Sequence, residues 1–76
     1  MVTVEQVKER IASVYPGVVI DISDKGDRIG GVIRWGGFAN MPIPERRKDV
    51  TDKVRNALGY EASNVGIIIA LAPGES

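Results

Sequence analysis

Val4, Val7, Ile11 and Val14 recur at three- and four-residue steps, with Glu5, Lys8, Glu9 and Arg10 between them. That is the spacing of one helical face, and it predicts a helix over Val4 to Tyr15. Thr3, followed three residues later by Gln6, supplies a capping box at its start, and Pro16-Gly17 ends it. The period then changes to two. Val18, Ile20 and Ile22 alternate with Val19, Asp21 and Ser23, as in a half-buried strand. Asp24-Lys25-Gly26-Asp27 reads as a turn with Gly26 in the left-handed position. The returning strand, about Arg28 to Trp35, sets Ile29, Gly31, Ile33 and Trp35 on one face and Gly30, Val32 and Arg34 on the other. The two strands make an antiparallel hairpin.

After a loop from Gly36 to Met41, Pro42 and Pro44 lead into a second helix that runs to Leu58, with Gly59 just past its end. Val50, Val54, Ala57 and Leu58 form its narrow apolar stripe, and Asp49 and Lys53 are an acid-before-base pair four residues apart, worth ~0.2–0.5 kcal/mol. Tyr60 to Asn64 connects to Val65–Leu71, which is apolar on both faces: Val65, Ile67, Ile69 and Leu71 on one, Ile68 and Ala70 on the other. Buried large aliphatics contribute ~1.5–3 kcal/mol each, which makes this strand the expected energetic centre. The predicted class is α+β with the order α-β-β-α-β. A three-stranded mixed sheet carries both helices on one face, and a right-handed crossover sets the third strand parallel to its neighbour. The other face is expected to carry Val19, Val32 and Ile68, either covered by loops or offered to a partner or a second copy of the chain.

Composition narrows the function classes. Seventy-six residues make a single domain, 1–76. Ten basic and ten acidic residues leave no formal net charge, which excludes a polycationic tail and weakens global steering toward nucleic acid. The chain has no Cys and no His, so it lacks disulfides, thiolate or imidazole metal ligands, a cysteine nucleophile and the commonest general base. Ser13, Ser23 and Ser63 have no histidine to activate them, and no enzyme is expected. No segment reaches the ~18 apolar residues that span a bilayer. The charged start, Met1 to Ala12, is unlike a signal peptide, and the expected location is cytoplasmic.

Charge is nonetheless uneven. Arg46, Arg47 and Lys48 form the only basic triplet, and with Lys53 and Arg55 they outnumber Glu45, Asp49 and Asp52. Cations near a helix N-terminus oppose the macrodipole at ~0.3–1 kcal/mol each, which points either to phosphate or partner binding or to a merely solvated face. Lys25, Arg28 and Arg34 on the hairpin extend this basic surface if the hairpin lies beside the second helix. The Gly-x-x-Gly loop of KH domains is missing, and Gly36-Gly37 lacks the spacing of a phosphate cradle. Tyr15, Trp35, Phe38 and Tyr60 are the rings that would stack on bases, with Trp35 expected in the core.

Phe38, the run Arg46-Arg47-Lys48, Val50, Leu58, the last apolar strand and Leu71-Ala72-Pro73-Gly74-Glu75 together resemble the BolA-like family. In that family a helix and hairpin precede a Phe-x-Gly-x-Ser loop, a helix opening near Arg-His-Arg-x-Val, an apolar strand and a Thr-Pro-Glu-like tail. The resemblance covers nearly the whole chain. It implies a fold like the class II KH domain and a regulator that binds monothiol glutaredoxins, shares iron–sulfur clusters with them and in bacteria binds DNA. The family's cluster-ligating helix histidine falls at Arg47, and its second ligand, a Cys or His, falls near Lys25 to Arg28, where neither occurs. A guanidinium stays protonated and cannot ligate iron, so cluster sharing and any other cofactor are not expected. Asn40 and Pro42 replace the Gly and Ser of the family loop.

The expected function is a small, non-enzymatic regulatory or protein-interaction module. Its surface is the start of the second helix and the loop Gly36 to Pro44. Candidate binding residues are Arg46, Arg47, Lys48, Lys25, Arg28, Arg34 and Phe38. Glutaredoxin is a partner by resemblance alone. The rival readings are a KH-like nucleic-acid-binding domain that uses the same cations, and a homodimer or larger homo-oligomer formed through the open sheet face or an edge strand.

Overall fold

The computed structural model describes residues 1 to 75. Helix α1 (Val4–Val14) begins at the predicted box: Gln6 N–H donates to Thr3 Oγ1 at 3.2 Å, and Thr3 N–H donates to Gln6 Oε1 at 2.8 Å. Val7, Ile11 and Tyr15 on one side of it are fully buried. Strands β1 (Val19–Asp24) and β2 (Ile29–Arg34) pair antiparallel, and Gly26 in their turn has φ +104°. β3 (Val65–Leu71) pairs parallel to β2, giving the sheet order β1-β2-β3 with β2 central. The class is therefore α+β with the order α-β-β-α-β, and both helices cover the same face of the mixed sheet.

The second helix is continuous from Ile43 but not uniform. It consists of α2 (Ile43–Val50), a wider π turn (Thr51–Arg55) and α3 (Asn56–Leu58). In the π turn the Asn56 N–H donates to the Thr51 carbonyl, five residues back. Arg10 of α1 donates through Nε to the Lys53 carbonyl at 2.7 Å and so ties the two helices together at that turn. A π turn adds a residue and rotates the helix beyond it. Val50 and Val54 stay buried and Leu58 partly so, but Ala57, expected in the stripe, is exposed. Asp49 and Lys53 form the expected pair at 3.2 Å, and Gly59, just past the helix, has φ +71°. The segments 36–40 and 59–64 coil into short 3₁₀ turns rather than open loops.

The main departure from expectation lies in β3. Ile29 pairs with Val65, whereas Gly31 pairs with Ile68, so β3 carries one extra residue there. A bulge of one residue inverts the alternation beyond it. Val65 faces the core, and so do Ile68, Ala70 and Ala72, while Ile67 and Ile69 turn outward. The open face consequently carries Val19, Val32, Ile67, Ile69 and Leu71, with Ile68 on the opposite, helix-covered side. A side chain at Gly30 would leave no room for this arrangement, because its Cβ would lie 2.7 Å from the Ile67 carbonyl oxygen.

One cluster joins the helices to the inner face of the sheet. Tyr15, Phe38, Ile11, Ile29, Ile33, Val7 and Val54 are its largest fully buried members. The amino-terminal segment is drawn in beside it: Val2 is buried, its N–H donates to the Glu61 carbonyl at 2.7 Å, and its carbonyl accepts from Asn64 Nδ2 at 2.9 Å. Gly30→Ala is expected to destabilise the fold by more than about 1 kcal/mol in urea unfolding, since the clash is with backbone that cannot rotate away. Gly36→Ala, with open space around its Cβ, is expected to stay within about 0.5 kcal/mol of the native chain. Equal effects at the two positions would remove Gly30 as the determinant of the bulge.

Candidate functional site

The seven candidate residues separate into four environments. Phe38 is fully buried, because the 3₁₀ turn Gly36–Asn40 folds its ring back under the sheet. It joins Tyr15 and Trp35 in a cluster with ring centroids 5.0, 5.1 and 5.3 Å apart, in tilted and edge-on contacts. Such offset pairs add to the area that the rings bury. Trp35 is satisfied by the Pro16 carbonyl, to which its Nε1–H donates at 2.9 Å. The Tyr15 hydroxyl donates to Asp49 Oδ2 at 2.7 Å. Burial first, and then this carboxylate, push the Tyr15 hydroxyl well above the ordinary phenol range, so it stays protonated. Phe38 and Tyr15 therefore belong to the core and offer no face to a ligand.

Arg46 is also turned inward, against the expectation of a basic triplet on one surface. Only 5 % of it is exposed. Its Nε donates to the Met41 carbonyl at 2.8 Å, and Nη1 and Nη2 grip the two Glu75 carboxylate oxygens at 2.6 and 3.1 Å. Nη1 also reaches the Ala70 carbonyl at 3.3 Å. Glu75 accepts a further bond from the Ala72 N–H at 2.8 Å, within a turn closed by the Glu75 N–H on the Ala72 carbonyl. Arg34, half-buried, donates to the backbone carbonyl of Glu75. The Arg46 guanidinium, then the Ala72 N–H, hold the Glu75 carboxyl down at about 2. A charge that opposed the helix macrodipole is thus offset by a bidentate carboxylate.

The remaining candidates stay in water. Lys25 sits at the hairpin tip and Lys48 on the outer side of α2. Arg28 and Arg47 instead line a groove of about 520 Å³ between the second helix and β3, a volume within the ~300–1,000 Å³ range of ligand sites. One wall is built from two rows at four-residue steps. Ile43, Arg47, Thr51 and Arg55 form the outer row, and Arg46, Val50 and Val54 form the inner one. The other wall is the whole of β3, Val65 to Leu71. Arg28, Arg47 and Arg55 have no side-chain partner among the described residues. Ile43, at 50 % exposure, stands on the helix wall, and Ile67 and Ile69, at 80 and 49 %, border the groove from the open face of β3. Of the candidate cations, Arg28 and Arg47 therefore line one groove, with Arg46 held in an ion pair at its wall, while Lys25, Arg34 and Lys48 lie outside it.

Arg55 and the three isoleucines were not among the sequence candidates. The four-step row from Ile43 to Arg55 is a readable signal for the helix wall. Ile67 and Ile69 have no such signal, because their exposure follows from the bulge.

An iron–sulfur cluster of the kind the BolA-like resemblance implies does not fit these residues. The chain has no thiolate or imidazole to offer, Arg47 stands at the helix position, and the described residues hold no group of three or more carboxylates able to hold a metal ion. No helix among them is long and apolar enough to cross a membrane. No family profile, characterised protein or solved structure matches the chain.

Phe38→Ala should cost ~3–5 kcal/mol in chemical unfolding, as expected for emptying a fully buried ring site. A loss below about 1 kcal/mol would place the ring outside the core. Glu75 supplies a pH test. A carboxyl held low in the folded state and near ~4.3 when unfolded stabilises the protein above the unfolded value and loses that contribution as pH falls toward about 2. The stability difference between the native chain and Glu75→Gln should be constant from neutral pH to about 5 and then shrink on acidification. A difference that does not change with pH would show that the carboxylate is unpaired in solution.

Proposed function

We propose that this chain is a small binding module without catalytic chemistry of its own, and that it takes a protein partner in the groove between the second helix and β3. The observation that carries this reading is a groove lined by Arg28, Arg47 and Arg55 and bordered by exposed apolar side chains, Ile43 on the helix and Ile67 and Ile69 on the open face of β3. Apolar area left in water is recovered on binding at roughly 25 cal/mol per Å², and exposed apolar patches with a charged rim mark interaction sites. The same helix belongs to the surface that the BolA-like resemblance associates with partner binding. The groove also lacks the pairing of nucleophile and base that an enzyme needs: its hydroxyls, Thr51 and Ser63, stand with arginines and aliphatics.

A nucleic-acid ligand is the weaker reading. Stacking on unpaired bases is worth ~1–3 kcal/mol each, but the groove has no aromatic ring in its walls, and Tyr15 and Phe38 are inaccessible.

Random twelve-residue peptides displayed on phage and selected on the immobilised protein test the proposal. The double variant Arg47→Glu, Arg55→Glu serves as the comparison. Both positions are exposed, so its unfolding free energy should stay within about 0.5 kcal/mol of the native chain. Selected peptides should bind the native chain at least about tenfold more tightly than the variant, a difference of ~1.4 kcal/mol. Peptides that bind both equally would contradict the reading. So would an absence of any selected peptide together with salt-sensitive binding of a single-stranded RNA oligonucleotide.

A further inference from the structure

We infer that the occupant of this groove is an extended, acidic segment that adds to the free edge of β3 as a fourth strand, in a register limited by the Arg46–Glu75 pair. The inference rests on the groove being the binding site. The Leu71 carbonyl accepts from the Trp35 N–H at 3.0 Å, so Leu71 points its polar groups toward the β2 side. Alternation along the strand then turns Ile69 the same way and directs Ile68, Ala70 and Ala72 to the outer edge. Two of those outward groups are already occupied. Arg46 Nη1 covers the Ala70 carbonyl, and the Glu75 carboxylate covers the Ala72 N–H. The carboxy-terminal part of the edge is thereby closed to pairing, in the way that charged groups blunt exposed edges.

The edge is left open at Ile68, whose N–H and C=O both point outward, and at the Ala70 N–H. A strand laid there can exchange two hydrogen bonds with Ile68 and place an acceptor on Ala70. It cannot continue past the ion pair. This geometry suits strand addition, in which main-chain bonds hold the segment and alternate side chains are read by pockets on either side. One set of its side chains would extend the open face beside Ile67 and Ile69. The other set would point at the helix wall, where Arg47 and Arg55 stand, with Arg28 near the end of the groove. The chemistry that matches is aliphatic on the first set and carboxylate on the second. The chain's own tail brings a carboxylate to Arg46 and to the Ala72 N–H, just past β3, at the same time.

The probe is an acetylated, amidated seven-residue peptide of alternating glutamate and valine, titrated into the native full chain by calorimetry and by amide NMR. Three control peptides accompany it. Two carry N-methyl groups on alternate residues, one version for each edge of the strand, and the third has lysine in place of glutamate. The parent peptide should bind and shift Ile68 and Ala70 most strongly. One N-methylated version, and the lysine peptide, should each bind at least tenfold more weakly. Equal binding of both N-methylated versions and the parent, with shifts still in the groove, would overturn strand addition while leaving the groove as a protein-binding site. Equal binding of the lysine peptide would overturn the acidic preference. Absence of parent binding overturns the inference as well. If shifts in the groove then accompany RNA, or protein concentration alone through pairing of two copies, the underlying reading falls with it.

Discussion

The exposed chemistry of this molecule depends on a close approach of two backbones: the carbonyl of Ile67 lies where a side chain on Gly30 would stand. That contact admits one extra residue into β3, and the strand's alternation inverts from there on. Without the inversion, Ile67 and Ile69 would lie under the helices and Ile68 and Ala70 would face water. With it, small Ala70 and Ala72 lie on the helix side, near the Arg46 guanidinium, and the two isoleucines stand on the open side of the same edge. Both the apolar border of the groove on the open face and the space for the buried arginine follow from that phase.

The Arg46–Glu75 pair shapes the groove more than it strengthens the fold. Taking a guanidinium out of water carries a desolvation cost that a partner carboxylate only offsets, so such pairs are weak sources of net stability. Their effect on geometry is firmer. Four hydrogen bonds from one planar guanidinium reach two carboxylate oxygens and two carbonyls here, which sets where the tail crosses the end of β3. The same contacts withdraw one acceptor and one donor from the strand edge. Stability resides instead in the aromatic cluster and the aliphatics beneath it, where each large side chain contributes ~1.5–3 kcal/mol by burial.

The features legible in the sequence were those decided locally. The capping box at Thr3 and Gln6, the period change at Val18, the turn at Gly26, the stop at Gly59 and the Asp49–Lys53 pair all depend on residues within four positions of one another. They assembled into the α-β-β-α-β order because few topologies join such elements without a left-handed crossover. The face of β3 was not legible, since its seven residues are apolar on both sides except for Gly66 and the bulge depends on Gly30, more than thirty positions away. Arg46 looked like its neighbours Arg47 and Lys48; its inward turn depends on Glu75, 29 residues distant. Phe38 carried a functional reading through the BolA-like resemblance, while its burial follows from Tyr15 and Trp35. Arg28 and Arg47, named from the sequence for their charge, line a groove against β3 rather than the expected surface at the loop Gly36 to Pro44, and Arg55 joins them there through a helical row at four-residue steps.

The phase of β3 is directly measurable by amide hydrogen exchange in the free protein, residue by residue under native conditions. Slow exchange is expected at Ile69 and Leu71, whose N–H groups face β2, and at Ala72 beneath the Glu75 carboxylate, with fast exchange at Ile68 and Ala70 on the open edge. The opposite alternation, with Ile68 and Ala70 protected and Ile69 and Leu71 exchanging freely, would place the bulge elsewhere and remove the strand wall of the groove.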